Sequence, residues 1–471
     1  MLAGRPPQVR LGAGAIVLAV IVTSLLTQTA ASSNAVVRRP SAEIQLRPAV
    51  GPPTSATHLS GAGFGSGEQV DVTFDSVHVR TVTTDAGGAF AGRFRIPADA
   101  APGDHDVTAT GGSSGFSARA SFLVRANWRN FHFDHPNSGS NPYENVLDPS
   151  NVGGLTRQWV YSPGDLIYSS PAIADGMLFV GAWDGSLHAL DAETGAPVWS
   201  YATPSPIDSS PAVGRGIVYV GSFHRLYAVD EATGSLRWSY PIGRADFASP
   251  TVAGGLVFIG GMGGTVYAVH AGSGSLAWTY RTGGHIESSP AVADGVVYVS
   301  SGNGKVYALD AATGTKLWAG STQGLQYSSP AVVHGTVFIG SFGGIYAFDA
   351  STGRKLWRRW LGDSVQCSPA VAGGVVYTGN RGGEIFALDA ANGHVRWKAA
   401  TGGLEIFASP AVANGVVYVA SKDGTAYAFD AATGTRAWQS EFGDSIVSSP
   451  AVVNGKLYFG QFHALVAYGL P

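Results

Sequence analysis

Eight residues take the same position in a phrase that recurs along the chain, directly before three residues that end in Pro. They are Tyr168, Asp208, Phe247, Glu287, Tyr327, Gln366, Phe407 and Val447, with Asp246, His285, Gln326 and Glu405 beside them in the sequence. Four of the eight are aromatic, and aromatic faces with a few polar groups are typical of a ligand pocket. The carboxylates of Asp208 and Glu287 favour a cation or a polyol. The alternative is a ring of solvated loop ends.

A second group of polar side chains, His132, Asp134 and His135, has the types that bind metal ions. A zinc site needs further ligands that the neighbouring sequence does not supply. The same segment carries aromatic residues, namely Trp128, Phe131 and Phe133. We therefore interpret residues 126–154 as a connector that its aromatics pin to a larger domain, with a metal site as the alternative.

The serines of the Ser-Pro phrases are the last candidates for chemistry, as nucleophiles. A residue that recurs in nearly every unit is more simply explained as a hydrogen-bonding group at the start of a strand. No GxSxG or HExxH motif occurs in the sequence. The single cysteine, Cys367, excludes an intramolecular disulfide, a CxxC pair and a cysteine zinc site. No catalytic residue is predicted.

Composition favours short strands joined by many tight turns. Glycine contributes 65 of the 471 residues, and charged residues make up only 13%. The net charge is −3, and no run of Lys and Arg gives an electrostatic reason to expect nucleic acid.

The first 35 residues have the pattern of a secretory signal peptide. Arg5 and Arg10 precede an apolar run, residues 11–26, and a small polar stretch follows it. The run is shorter than the ~20 residues that span a bilayer. We expect cleavage near Ala31 or Ala35, with an uncleaved anchor as the alternative. The mature protein is then secreted, in the extracellular space or the cell envelope, without a stable membrane span.

Residues 41–125 predict a small β-sandwich. Apolar and polar residues alternate along residues 68–82, with one slip near Asp75–Ser76, as expected for half-buried strands. The glycines at 61, 63, 65 and 67 precede a strand pattern rather than a helix, so they predict a turn and not a phosphate loop. The phrases SGAGFGSGEQV and TTDAGGAFAGRFRIP resemble those of the immunoglobulin-like modules of secreted bacterial proteins.

Residues 155–471 repeat a unit of about 40 residues eight times. The Ser-Pro prolines are spaced by 39 to 41 residues. Four short apolar runs separated by Asx-Gly and Thr-Gly turns fill each unit, which predicts the four antiparallel strands of a propeller blade. Trp159 precedes the first Ser-Pro phrase, and the last unit stops after three strands. We therefore predict an all-β, eight-bladed propeller in which the N-terminal strand completes the last blade and hides the open edges.

The segment ALDAATGTKLW, residues 308–318, resembles the tryptophan-docking motif of the eight-bladed quinoprotein, or PQQ-type, propellers. The motif recurs along residues 126–471, with His270 in place of the aspartate in one unit. The resemblance implies that one tryptophan per unit docks neighbouring blades: Trp159, Trp199, Trp238, Trp278, Trp318, Trp357, Trp397 and Trp438.

That family includes dehydrogenases that use pyrroloquinoline quinone (PQQ) with calcium to oxidise alcohols or sugars, and noncatalytic propellers that help to assemble outer-membrane proteins. The alcohol-oxidising enzymes carry a vicinal Cys-Cys ring, which a lone Cys367 excludes, and long insertions for which these units leave no room. We therefore expect a secreted, noncatalytic binding or scaffold protein without a cofactor. Its expected partner is an extracellular or envelope protein, or a small polyol or glycan, at the propeller mouth. The alternative is a PQQ-dependent oxidoreductase.

Overall fold

Residues 41–244, 247–324 and 327–471 are described by a computed structural model. In these residues the regular structure consists of β-strands and one short 3-10 helix, Val152–Gly154. Residues Ala42–Pro471 belong to one compact unit. The predicted signal peptide, residues 1–35, lies outside the described residues, as do Asp246 and Gln326.

The N-terminal part consists of two β-sheets that share one hydrophobic core. Its strands are β1 (Glu43–Arg47), β2 (Val50–Gly51), β3 (Ala56–Ala62), β4 (Gln69–Phe74), β5 (Val77–Thr83), β6 (Phe90–Arg95), β7 (Gly103–Gly111) and β8 (Ser117–Val124). Strands β1, β3 and β6 form one sheet, and β2, β8, β7, β4 and β5 form the other. Leu59, Val72 and Phe122 are buried in the common core. The immunoglobulin-like assignment of this part stays a prediction.

Two local features differ from the sequence interpretation. The slip near Asp75–Ser76 is a tight hairpin turn in which both residues have positive φ, 46° and 74°. This turn reverses the chain between β4 and β5, and Val77, the first residue after it, is 64% exposed rather than part of the buried set. Gly61, expected in a turn, lies within β3 because the turn begins only after Ala62.

Thirty-two further strands form eight four-stranded antiparallel sheets, the blades of a propeller. The innermost strands are β11 (Ala172–Ala174), β15 (Ala212–Gly214), β19 (Thr251–Ala253), β23 (Ala291–Ala293), β27 (Ala331–Val333), β31 (Ala370–Ala372), β35 (Ala411–Ala413) and β39 (Ala451–Val453). The second strands are β12 (Met177–Gly181), β16 (Ile217–Ser222), β20 (Leu256–Gly260), β24 (Val296–Ser301), β28 (Thr336–Ser341), β32 (Val375–Gly379), β36 (Val416–Ala420) and β40 (Lys456–Gln461).

The outer half of each blade is built in the same order. The third strands are β13 (Ser186–Asp191), β17 (Arg225–Asp230), β21 (Thr265–His270), β25 (Lys305–Asp310), β29 (Gly344–Asp349), β33 (Glu384–Asp389), β37 (Thr425–Asp430) and β41 (Ala464–Gly469). The outermost strands are β14 (Pro197–Ala202), β18 (Leu236–Pro241), β22 (Leu276–Arg281), β26 (Lys316–Ser321), β30 (Lys355–Arg359), β34 (Val395–Ala400), β38 (Arg436–Glu441) and, for the last blade, β10 (Thr156–Tyr161).

The turn between the first two strands of a blade explains the Asx-Gly signal in the sequence. In the fourth blade Asp294 and Gly295 have φ of 48° and 76°. A two-residue turn with positive φ at both positions matches the right-handed twist of the flanking strands, and Asn, Asp and Gly adopt it most readily.

The ring closes as predicted. Strand β10 pairs antiparallel with β41, with Trp159 opposite Ala467, and the last sheet has the order β10-β41-β40-β39. Trp438 donates its indole N–H to the carbonyl of Leu155 at 3.3 Å, which joins the seventh blade to the segment that leads into β10. The N-terminal strand therefore completes the eighth blade.

Adjacent blades are joined through the repeated tryptophans. Each of the eight indoles donates a hydrogen bond to a carbonyl that precedes or belongs to the neighbouring blade, at 2.8 to 3.3 Å. Trp318, for example, bonds to Ala350 and lies so close to Gly353 that a Cβ there would come within 2.6 Å of the ring. Gly353 also has φ of 71°. The close approach and the backbone conformation both require glycine here.

The serines that precede the Ser-Pro prolines form a closed ring of hydrogen bonds around the channel. In each blade the serine amide donates to the serine hydroxyl of the next blade at 2.9 to 3.1 Å, and Ser449 donates to Ser170 to complete the circle. These serines are Ser170, Ser210, Ser249, Ser289, Ser329, Ser368, Ser409 and Ser449. Their hydroxyls therefore serve ring closure.

Candidate ligand-binding site

One end of the central channel opens into a cavity of about 640 Å³. Seven of the eight residues that the sequence singled out line this cavity: Tyr168, Phe247, Glu287, Tyr327, Gln366, Phe407 and Val447. They come together because each lies four residues before the first residue of the innermost strand of its blade, and all eight innermost strands run in the same direction along the axis. We call this cavity the mouth.

Asp208, the eighth predicted residue, does not line the mouth. It is only 7% exposed and lines a narrower cavity of about 70 Å³, to which the other seven residues and the ring of serines also contribute. Its carboxylate accepts a hydrogen bond from the indole N–H of Trp183. Asp208 therefore belongs to the narrower cavity next to the mouth.

A second register of residues lines the mouth and was missed by the sequence analysis. It is the turn between the second and third strands of a blade. In the fifth to eighth blades this turn supplies Phe342, Arg381, Lys422 and Phe462. Because the second strand runs antiparallel to the first, this turn lies at the same end of the blade as the residues before the Ser-Pro phrase. The signal was present in the sequence, since these turns vary between units while the strands around them repeat.

The acidic groups of the mouth have local partners. Lys422 Nζ lies 2.6 Å from the Glu405 carboxylate and 4.9 Å above the ring of Phe407. His285 Nε2 lies 3.7 Å from Glu287. Among the described residues, no three His, Cys, Asp or Glu side chains group closely enough to hold a metal ion. The carboxylates of the mouth are therefore placed to accept hydrogen bonds, and they do not surround a common cation site.

Tyr168 and Arg381 supply hydrogen-bond donors to the mouth. Burial, and secondarily the nearby Asp208 carboxylate, raises the pKa of Tyr168, so its hydroxyl keeps its proton. The Tyr168 ring lies 5.2 Å from that of Trp183 and 5.6 Å from that of Phe462. Arg381 forms no ion pair within the described part of the chain, and its side chain is exposed. The mouth thus combines aromatic rings with both donors and acceptors.

The connector forms the floor of the channel. Phe131 lines the narrow cavity below the mouth together with the serine ring. His132 stacks on Phe131 with ring centroids 5.0 Å apart, and burial lowers the pKa of His132 to about 4. Trp128, almost fully buried, packs edge-on against Phe133 at 5.2 Å. The aromatics hold the connector in the channel, and Phe131 limits its depth.

Backbone hydrogen bonds fasten this floor to six of the eight innermost strands, and a side-chain hydrogen bond fastens it to a seventh. Val213, Val292, Val332, Val371 and Val412 donate their amides at 2.7 to 2.9 Å to the carbonyls of Arg129, His135, Pro136, Ser138 and Gly139. Trp128 exchanges both backbone bonds with Ile173, and the side chain of Asn141 donates to Val452. Ser140–Asn141 also form a short strand, β9, parallel to β35. The connector therefore satisfies the inner sheet edges that would otherwise lack partners.

The polar residues of the connector serve its own turns. Asp134 accepts hydrogen bonds from the amide and the hydroxyl of Ser138 at 2.7 and 2.8 Å. His132 Nδ1 lies 3.3 Å from the carbonyl of Asn137. His132, Asp134 and His135 are therefore not assembled as a set of metal ligands.

The resemblance to quinoproteins implies PQQ and calcium as cofactors. The residues at the mouth do not fit these two groups. Cys367 lies in the wall of the sixth blade, is 1% exposed, and accepts a hydrogen bond from the amide of Gly379 at 3.1 Å. Burial raises the pKa of its thiol, so the group is neither a thiolate nor at the cavity surface. Calcium requires six to eight oxygen ligands, and the described carboxylates do not converge.

Comparison with known proteins identifies the repeat. A family model described as outer membrane protein assembly factor BamB matches residues 156–241, 222–359 and 341–468. No curated protein matches the chain in sequence. Among the described residues, no helix has the length and apolarity needed to cross a membrane.

Several solved structures share the fold. BamB from Moraxella catarrhalis is 19% identical, with a TM-score of 0.58 over 67% of this chain and 99% of that chain. Quinohemoprotein alcohol dehydrogenase from Comamonas testosteroni is 16% identical, with a TM-score of 0.64 over 73% of this chain and 80% of that chain. A europium-containing methanol dehydrogenase is 15% identical, with a TM-score of 0.63 over 73% and 98%. BamB and alcohol-oxidising dehydrogenases thus share this propeller fold, and by its sequence the chain belongs to the family of outer membrane protein assembly factor BamB.

Proposed function

We propose that the protein is an exported, noncatalytic binding protein that holds a polyol or glycan in the mouth of its propeller. The observation that carries this proposal is the mouth itself, a cavity of about 640 Å³ lined by aromatic rings and paired polar groups. A pocket of this size is in the range that buries a small ligand.

The chemistry of the mouth suits a sugar. Phe247 is 40% exposed and Phe342 39% exposed, so their apolar surfaces are available to the C–H face of a sugar ring. Glu287 and Gln366 offer acceptor oxygens, while Arg381 and Tyr168 offer donors. A sugar hydroxyl both donates and accepts, so it can pair with both kinds of group.

An envelope protein partner is the second candidate, because the matching family is named for an assembly factor of outer membrane proteins. The PQQ-dependent oxidoreductase is less well supported, because the described residues of the mouth do not fit the cofactor and its metal. Dye-linked oxidation of alcohols and aldoses with added PQQ and calcium tests this alternative, and turnover would refute the noncatalytic proposal.

Titration of the purified protein with neutral and uronic disaccharides, followed by calorimetry, tests sugar binding. We expect saturable binding of at least one disaccharide, and Phe247→Ala should weaken it about tenfold or more, as truncation of an aromatic anchor does. Leu276→Ala is the matched control, because Leu276 is 44% exposed on an outermost strand away from the mouth. Absence of binding across the panel would contradict the proposal.

A further inference from the structure

A second cavity lies directly beside the mouth. It has a volume of about 350 Å³ and is lined by Gln323, Gly324, Phe342, Gly343, Arg358 and Trp360. Phe342 borders both cavities, and its ring centroid is 6.0 Å from that of Tyr327 in the mouth. A ligand that crosses this one ring therefore passes from the first cavity into the second.

Trp360 has no structural role that the repeat explains. It follows the last residue of β30, three positions after Trp357, and is 53% exposed. The seven equivalent positions are also exposed and hold Ser162, Ala202, Pro241, Arg281, Ser321, Ala400 and Glu441. The fold thus requires only an exposed residue here, and a tryptophan that leaves half of its surface in water points to a binding partner.

The strand that carries Trp360 is unusually basic. Residues 354–360 contain four cationic side chains: Arg354, Lys355, Arg358 and Arg359. On other outermost strands Arg237, Arg396 and Lys398 pair with a carboxylate of their own blade. Lys355 and Arg358 form no ion pair with any described residue, which they share with Arg281, Lys316 and Arg436 on other outermost strands. The fifth blade differs in that four cations lie together.

Arg358 lines the second cavity, and Lys355 shares with it a contact to the ring of Tyr346. Arg358 Nε donates to the carbonyl of Gly343 at 2.8 Å, and its guanidinium lies 5.6 Å from the ring centroid of Tyr346. Lys355 Nζ lies 5.9 Å from the same centroid. Arg381, which lines the mouth, likewise forms no ion pair with a described residue.

We infer that the mouth and the second cavity form one elongated site for an acidic oligosaccharide. This inference rests on the proposed function. One sugar unit occupies the mouth, the chain crosses Phe342, and a following unit stacks on Trp360. Arg358 and Lys355 then bind the carboxylates of the chain through charge-assisted hydrogen bonds. The concave shape of both cavities favours a chain-like ligand over a lipid surface, which needs a convex or flat contact.

Oligogalacturonates of two, four and six units test the inference in calorimetric titrations of the full chain. We expect the hexamer to bind about tenfold or more tightly than the dimer, because an aromatic anchor is added. Its affinity should fall with added salt, because exposed charges are screened beyond ~8 Å at physiological ionic strength. Maltohexaose, which is neutral, should not show this gain in affinity with chain length.

The variants separate the two cavities. Trp360→Ala and Lys355→Ala with Arg358→Ala should each abolish the gain from dimer to hexamer while leaving dimer binding unchanged. The matched controls lie in the preceding blade. Leu317→Ala removes an exposed apolar side chain of β26, and Lys316→Ala removes the exposed cation at the position equivalent to Lys355. They should leave both affinities unchanged.

Three results would overturn the inference. Dimer binding without any gain for the hexamer would refute it and leave the proposed function standing. Absence of binding for both would refute the proposed function and the inference together. Binding to phosphatidylglycerol vesicles that depends on Trp360, without binding of the hexamer, would assign this surface to a membrane instead.

Discussion

The tryptophans between the blades should carry a large part of the stability, and Trp318→Ala tests this. Trp318 is 8% exposed and lies between Tyr298, Phe348 and Gly353. A tryptophan buries roughly 200 Å², which at ~25 cal/mol per Å² amounts to about 5 kcal/mol. The alanine methyl retains part of this burial. The carbonyl of Ala350 loses the indole but keeps a hydrogen bond from the hydroxyl of Tyr298 at 3.2 Å, so no acceptor is orphaned.

We therefore expect Trp318→Ala to lower the free energy of unfolding by about 3–5 kcal/mol. Urea unfolding followed by far-ultraviolet circular dichroism measures this loss, as a lower midpoint at an unchanged slope. Trp360→Ala is the matched control, because that side chain is 53% exposed. Its expected loss is below about 0.5 kcal/mol. Equal losses for the two variants, or a loss below about 1 kcal/mol for Trp318→Ala, would refute the view that these indoles hold the ring together.

Three further predictions concern the closure of the ring by β10, the carboxylate of Glu68 and the ligand-binding mouth. Deleting residues 155–162 should expose the edge of β41 and cause aggregation on heating. A deletion within residues 41–50 should leave the thermal melt of the propeller unchanged. Tryptophan fluorescence follows that melt, because all tryptophans lie at position 128 or later. Hydrogen bonds from Ser114 and other turn groups lower the pKa of Glu68 to about 2, below the ~4.3 of an unfolded glutamate. The stability that Glu68 contributes is therefore present above about pH 4 and is lost as the pH falls towards 2. Glu68→Gln should flatten the dependence of the melting temperature on pH between these two values. An unchanged dependence would contradict this prediction. Asp208→Asn with Glu287→Gln should leave the melting temperature nearly unaltered, since both amides keep an acceptor oxygen, and should weaken disaccharide binding; undiminished binding would show that the mouth is not the site.

The repeats made most of the fold predictable. Turn chemistry and alternation are local, so they identify four strands per unit in a sequence such as residues 288–318. The missing fourth strand of the last unit also predicted the pairing of β10 with β41. The hairpin at Asp75–Ser76 was harder, because the alternation only slips by one residue there and no glycine marks a turn.

The candidate site was only partly predictable. The residues before the Ser-Pro phrases could be placed at one end of the channel from strand direction alone. The second register, with Phe342 and Arg381, was overlooked because its residues lie 15 positions further along each unit and vary in type. The pairing of Asp208 with Trp183 and of Glu405 with Lys422 was out of reach, since it depends on side chains from separate parts of the chain meeting in space.

The sequence by itself determined the number of blades, their strand order and the closure of the ring, because each follows from patterns within 40 residues and from the count of the repeats. The tertiary structure decided which end of the channel stays open. The connector could have lain on the outside of the propeller, but the inner edges of six blades form hydrogen bonds with its backbone in the channel, where Phe131 becomes the floor. It also decided that Trp360, which the sequence does not distinguish from the docking tryptophans by type, faces solvent beside the mouth.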